Sequence, residues 1–197
     1  FRRVLFRSHF HKTLPEINLK MQTGIIVDFR AKEVLRNEIE DGAYPLLYSQ
    51  HIKDGKVVWP LGKDGEVIKT DKKSYLQENG DFLIVKRFTS KEEPRRLQCG
   101  IYLKKKYDKF KYISTQNKVN FIKCDSPYVT YGLYVLLNST LYDCYYRILN
   151  GSTQVNSTEI NQMPVPERQV IEEMGKELMH HELSVANCNK ILNKWIN

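Results

Sequence analysis

Residues 132–166 constrain this chain more than any other stretch. They open with Gly132-Leu133-Tyr134-Val135-Leu136-Leu137, pass Tyr142, Tyr145 and Tyr146, and reach Gly151-Ser152-Thr153-Gln154 and then Met163-Pro164-Val165-Pro166. Over 129–150 apolar side chains fall on nearly every face of a 3.6-residue repeat, so a helix there must lie in the core. A glycine, small hydroxyls and asparagines then turn the chain. The two prolines lead into a charged segment, 166–197, where Val170, Ile171, Met174 and Leu178 recur at helical spacing. Leu183-Ser184 and Ala186-Asn187 are expected to interrupt that helix. Few folds need a buried helix, a polar turn, a proline pair and an amphipathic helix in this order.

Upstream, the pattern is that of strands joined by turns. Residues 10–20 read as a linker. Residues 21–30 and 44–50 read as strands, with a short polar helix at 31–40 between them. Lys53-Asp54-Gly55-Lys56 makes a hairpin turn into a return strand at 57–59, and Lys63-Asp64-Gly65-Glu66 makes a second turn. A short polar helix ends at Asn79-Gly80-Asp81. Then come a buried strand at 82–88, its partner at 97–103 beyond Glu93-Pro94, and another strand at 118–123. The expected fold class is mixed α/β (α+β): a largely antiparallel twisted sheet, a buried helix and a C-terminal helical region. The 197 residues suit one domain with a real core, drawn at 9–165 and followed by the helical segment 166–197. The chain begins with Phe1 rather than Met and is expected to be a fragment. Val4-Leu5-Phe6-Arg7-Ser8 looks like a translated sequencing adapter, so 1–8 are expected to be a non-native start.

The net charge of +8 is unevenly placed. Between 86 and 123 stand Lys86, Arg87, Lys91, Arg95, Arg96, Lys104, Lys105, Lys106, Lys109, Lys111, Lys118 and Lys123, against Glu92, Glu93 and Asp108. The rest of the chain is close to neutral. A basic stripe on a neutral domain suits a polyanion groove, although Lys104–Lys106 also suits a solvated loop. Lys86-Arg87-Phe88-Thr89-Ser90-Lys91 ends a buried strand in cations and hydroxyls, and Arg95-Arg96 follow across a turn. Such a tip can place guanidiniums on phosphates or guanine edges; Glu92 and Glu93 could instead pair with them. Ser114, Thr115, Gln116, Asn117 and Lys118 form either a base-reading loop or a plain turn. Ser152, Thr153, Gln154 and Asn156 offer the same choice. Tyr48 and Trp59 either stack on a base or fill the core.

Cys99, Cys124, Cys144 and Cys188 are scattered, with no zinc spacing, and read as reduced, mostly buried thiols of a cytoplasmic protein. His180-His181 are adjacent, a poor metal pair, and no metal site is expected. No apolar run is long enough to span a membrane.

Several segments in series resemble one family. They are 23–30; Tyr44-Pro45-Leu46-Leu47 with His51-Ile52, Gly55 and Trp59-Pro60; 82–93 with Arg95-Arg96-Leu97; Leu136-Leu137-Asn138-Ser139; 151–156; and Met163-Pro164-Val165-Pro166. Together they resemble the target-recognition domain of adenine-specific DNA methyltransferases of type II restriction–modification. Half of a type I specificity subunit, which binds DNA without catalysis, is the looser alternative. The resemblance implies a prokaryotic, cytoplasmic parent that acts at the nucleoid in phage defence and methylates adenine N6 with S-adenosylmethionine. It also implies duplex DNA and a methyltransferase domain outside this fragment as partners.

The catalytic elements of such an enzyme are missing here. There is no glycine-rich cofactor turn, since Thr23-Gly24 is a lone pair, so no cofactor is expected in the fragment itself. Asp125-Ser126-Pro127-Tyr128 imitates the family's catalytic Asn/Asp-Pro-Pro-Tyr/Phe loop without its first proline, and suits an ordinary helix cap equally. No catalytic residue is assigned.

Overall fold

A six-residue strand, Asp81–Lys86, organises the molecule. In a computed structural model that describes residues 10–196, it pairs antiparallel along its whole length with Val119–Cys124 and on its other side with Cys99–Tyr102. Because side chains alternate along a strand, Leu83 and Val85 enter one apolar core while Phe82 and Ile84 enter another. This explains the unbroken Phe-Leu-Ile-Val run: neither face meets water. The expected non-native start, 1–8, lies outside the described residues.

The strands in chain order are β1 Met21–Thr23, β2 Leu35–Arg36, β3 Ala43–Leu47, β4 Ile52–Lys53, β5 Lys56–Val57, β6 Val67–Lys69, β7 Gln77–Glu78, β8 Asp81–Lys86, β9 Cys99–Tyr102, β10 Tyr112–Thr115 and β11 Val119–Cys124. They form two mixed sheets, ordered β1-β11-β8-β9-β5-β4 and β2-β6-β3-β10-β7. Among the described strand pairs β5–β9 and β3–β10 are parallel and the rest antiparallel, so the pairing is largely antiparallel as expected. The β4–β5 hairpin turns on Asp54 and Gly55 at φ 48 and 77, as the Asp-Gly signal predicts.

The helices are α1 Pro127–Asn138, α2 Thr140–Leu149, α3 Ser157–Asn161, α4 Arg168–Leu178 and α5 Val185–Asn193. The single helix expected over 129–150 is two. Ser139, at ψ 154, ends α1 and caps α2: its hydroxyl donates to Leu136 O at 2.7 Å and accepts from Tyr142 N at 3.3 Å. A serine can serve both ends of a break because it carries donor and acceptor on one atom. α1 and α4 meet backbone to backbone. A Cβ at Gly132 would lie 1.9 Å from Ile171 O, and one at Gly175 would lie 1.8 Å from Tyr128 O. α1, α4 and α5 share one core with the inner face of the six-stranded sheet.

Three other expectations change. Residues 10–20 are not a linker: Phe10, Leu14, Ile17 and Leu19 are buried in the helix-side core. The strand expected over 21–30 stops at Thr23, because Gly24 lies against the backbone of Gln116, where a Cβ would stand 2.2 Å from the carbonyl oxygen. The helix expected over 31–40 is one 3-10 turn, Lys32–Val34, followed by β2.

Candidate nucleic-acid interface

Four segments far apart in sequence meet where β8 ends and β11 begins. Arg87 N–H donates to Lys118 O at 3.0 Å, and Val155 N–H donates to Arg87 O at 2.6 Å. Thr89 N–H donates to Thr153 O at 3.1 Å, and Asn117 N–H donates to Ile26 O at 2.8 Å. The stretches 24–30, 86–91, 116–118 and 151–156 are thereby laced together. The Arg87 guanidinium spans two of them, reaching Asn117 O at 2.9 Å and Gln154 Oε1 at 3.4 Å. The 151–156 turn is braced from beneath. Tyr146 OH accepts from Asn156 N at 3.0 Å, Asn150 Nδ2 donates to Gln154 O at 3.1 Å, and Asn120 Nδ2 donates to Val155 O at 2.6 Å.

The residues anticipated for binding sort by exposure. Lys91, Lys118, Ser152 and Thr153 are exposed; Lys86, Arg87, Ser90, Asn117, Gln154 and Asn156 are half-buried. Thr89, Arg96, Ser114, Thr115 and Gln116 are buried. Ser114 turns into the five-stranded sheet and donates to Tyr75 O at 2.6 Å. The Thr115 hydroxyl and the Gln116 amide nitrogen are enclosed without a hydrogen-bond partner. Arg95 and Arg96 do not project from a tip. Arg95 donates to Leu137 O and Ser139 O at 3.3 and 3.2 Å, satisfying carbonyls at the end of α1. Arg96 is 1% exposed and donates to Thr89 Oγ1 at 3.1 Å and Ser152 O at 2.7 Å.

Asp143, on α2, is what turns this loop inward. Its Oδ1 accepts from Arg96 N and Leu97 N at 2.7 and 2.8 Å, and its Oδ2 accepts from Arg147 Nε at 2.9 Å. Arg147 in turn donates to Lys91 O and Glu93 O at 2.9 and 2.8 Å. Glu93 serves the loop rather than an arginine: Ser90 N–H, at 2.7 Å, and the Gln98 amide hold its carboxyl below the usual range. Tyr48 and Trp59 are core residues, 3% and 6% exposed, and burial raises the Tyr48 hydroxyl to about 12.

No protein-family model matches the chain. Type II methyltransferase M.BsuBI of Bacillus subtilis is 37% identical over 171 residues, 83% of this chain. Type II methyltransferase M.PstI of Providencia stuartii is 30% identical over 193 residues, 92% of this chain. The chain belongs to the type II methyltransferase family. It spans only 34% and 37% of the length of these two relatives. In fold it matches a chain from a solved structure titled for complex assembly and conformational transition of the type I R-M system, with TM-score 0.50 and 11% identity, over 100% of this chain and 50% of that one.

Within this methyltransferase homologue, the motif that imitates a catalytic loop is a helix start. Ser126 Oγ accepts from Val129 N at 3.2 Å, Pro127 takes the first turn of α1, and Asp125 pairs with Arg168. The turn after β1 offers no cradle for S-adenosylmethionine, because the Gln116 backbone fills the space beside Gly24. The turn after β1 therefore does not fit that cofactor. Burial pushes Cys99 and Cys124 to about 12 and Cys188 to about 11, far from nucleophilic thiolates. No described helix is long and apolar enough to cross a membrane.

Two features of this end were missed in the sequence. Ile25 and Phe29 are 48% and 66% exposed, and the Arg30 guanidinium lies 5.4 Å from the Phe29 ring centroid. A β-branched run beside Gly24 gave no sign that the strand would stop and turn outward. The other is a buried pair below the loop after β3, where Gln116 N–H donates to Leu47 O at 2.9 Å. His51 Nδ1 accepts from Tyr48 N at 2.8 Å, which assigns the ring proton to Nε2, 2.8 Å from Glu66 Oε2. Burial lowers the His51 pKa. Burial alone would raise Glu66, but His51 and the N–H groups of Leu61 and Gly62 outweigh it and hold the carboxyl low.

The basic stripe is divided. Lys104, Lys105, Lys106, Lys109, Lys111 and Lys123 sit at the far, Asp81 end of β8, where Lys104 N–H donates to Asp81 Oδ1 at 2.8 Å and Lys123 is registered with Phe82. A six-residue strand is about 20 Å long, so cations adjacent in sequence form two separate patches.

Proposed function

We propose that this chain is the DNA target-recognition module of a type II, adenine-N6-specific DNA methyltransferase, with the Lys86 end of β8 as its DNA face. The parent enzyme uses S-adenosylmethionine in a domain outside this stretch. One observation carries the reading: four loops from distant parts of the chain are hydrogen-bonded into one rigid rim, which presents exposed Arg30, Lys91 and Lys118 beside Ser152 and Thr153. The cations hold phosphates, which sets register without reading sequence. Half-buried Gln154 and Asn156 offer donor–acceptor pairs suited to adenine edges, whereas the Asn117 side-chain carbonyl is enclosed. The identity to type II relatives favours this parent over a type I specificity subunit, since the type I likeness is one of fold at 11% identity. Fluorescence anisotropy with a mixed-sequence duplex over a salt series tests it. The whole chain should bind with steep salt dependence, and Lys91→Ala with Lys118→Ala should flatten the log–log slope by about 2, roughly 0.9 per phosphate contact. An unchanged slope in the double variant sinks this placement of the face.

A further inference from the structure

The DNA face carries apolar groups that phosphate binding does not require. Phe29 is 66% exposed, Ile25 48% and Phe88 45%. Two of them stand beside residues that join the rim: Ile25 precedes Ile26, whose carbonyl accepts from Asn117 N–H, and Phe88 follows Arg87. Phe29 is held on a 3-10 turn, Asp28–Arg30, closed by Arg30 N–H to Val27 O at 2.9 Å and Ala31 N–H to Asp28 O at 3.2 Å. Its backbone N–H also donates to Asp28 Oδ1 at 3.1 Å. The ring is thus carried on a short, internally bonded turn. Both aromatics have a guanidinium beside the ring, Arg30 at 5.4 Å from Phe29 and Arg87 at 5.4 Å from Phe88.

Arginine beside an aromatic ring is common at protein interfaces as well. The exposed lysines Lys91 and Lys118 on the same face decide between occupants, because protein interface cores are depleted in lysine. Single-stranded or unstacked bases are bound by the opposite arrangement, an aromatic platform set among cations that track the backbone. We infer that Phe29 contacts bases: carried on the stretch whose Ile26 joins the rim, the ring stacks on or wedges against a base step while Lys91 and Lys118 hold the phosphates. The inference rests on the DNA-face reading above. A wedge partly unstacks the step it enters and kinks the duplex there. The cations and the ring therefore have separable signatures. Removing a phosphate contact changes the salt slope, and removing a stacking ring weakens binding at every salt concentration alike.

The test uses the whole chain and a mixed-sequence 30-base-pair duplex carrying 2-aminopurine at central positions, whose emission rises when its stacking is disturbed. Wild type should raise the emission on binding. Phe29→Ala should bind about tenfold more weakly, as expected for loss of one stacked base, with an unchanged salt slope and no rise in emission. Phe29→Trp should restore both. Phe29 is largely exposed, so thermal melting of the variants should match wild type. Equal affinity and emission for Phe29→Ala and wild type would overturn the inference and leave the DNA face standing, provided that Lys91→Ala with Lys118→Ala still flattens the slope. Absence of any duplex binding by the wild-type chain would overturn both.

Discussion

The two halves of the basic stripe between 86 and 123, one at each end of β8, carry equal numbers of cations and use them in opposite ways. At the Lys86 end Arg95 and Arg96 turn inward and spend their donors on carbonyls and a hydroxyl. At the Asp81 end the lysines turn outward. Tyr107 and Phe110 are buried, Asn79 Nδ2 pins their carbonyls at 2.9 and 2.8 Å, and Lys104, Lys105, Lys106, Lys109 and Lys111 remain exposed around them. Of the six lysines there, Lys123 is ion-paired, to Glu78 at 3.3 Å. The difference follows from side-chain chemistry. A guanidinium has five fixed donors and can be satisfied inside a loop, whereas an ammonium is a compact, strongly hydrated charge that stays in water. Charge counted along the chain therefore overstates one patch and misses what the arginines do: they build the rim that the fewer exposed cations use.

This contrast can be broken most directly at Arg96. Arg96→Ala leaves the Ser152 carbonyl and the Thr89 hydroxyl short of a donor in a buried site, so it should cost about 3 kcal/mol. That corresponds to a fall of roughly 6–12 °C in thermal midpoint for a chain of this size. Lys105→Ala should change stability by no more than about 0.5 kcal/mol. Equal effects in a melting experiment would show that the two ends are not built differently. The second lever is salt. Lys105→Ala with Lys106→Ala should leave the slope of duplex binding within about 0.5 of wild type, against the loss of about 2 at Lys91 and Lys118. A matching loss at both ends would make the lysine end part of the DNA face.

The smallest effect concerns the buried His51–Glu66 pair. His51 is kept neutral by burial, so its folded pKa lies below the ordinary histidine value. Its neutral form then contributes stability that is complete above pH ~6.5 and declines as pH falls below it, by at most about 1.4 kcal/mol per pH unit. Glu66, whose pKa is lowered, loses its contribution only further down, through the carboxylate range. Urea midpoints between pH 7 and 5 should fall in wild type and flatten in His51→Gln. A midpoint that rises on acidification would mean the histidine gains its proton on folding.

The frame of the fold was legible where the signal was local. Phe82-Leu83-Ile84-Val85 announced a strand buried on both faces, and Asp54-Gly55 announced a hairpin. The break at Ser139 was legible only as polar residues after an apolar run: serine is a favoured N-cap, but the apolar pattern resumes at once and reads as one helix. The site was less legible than the fold. The three anticipated segments do converge, but the inward turn of Arg95 and Arg96 depends on Asp143 and on the end of α1, more than forty residues away. Nothing in the local sequence records such partners. Phe29 was hidden for a related reason: Gly24 ends its strand against Gln116, a contact that exists only after folding.

The glycine contact between α1 and α4 also sets a timetable. Gly132 has nothing to lie against until Ile171 exists, about forty residues later, which at ribosomal speeds is a delay of roughly 2–8 s. During that interval the most apolar helix of the chain is already made and its covering helix is not. Until α4 emerges, the face of α1 that carries Gly132 is uncovered, while its other face can already lie on β8 and β9.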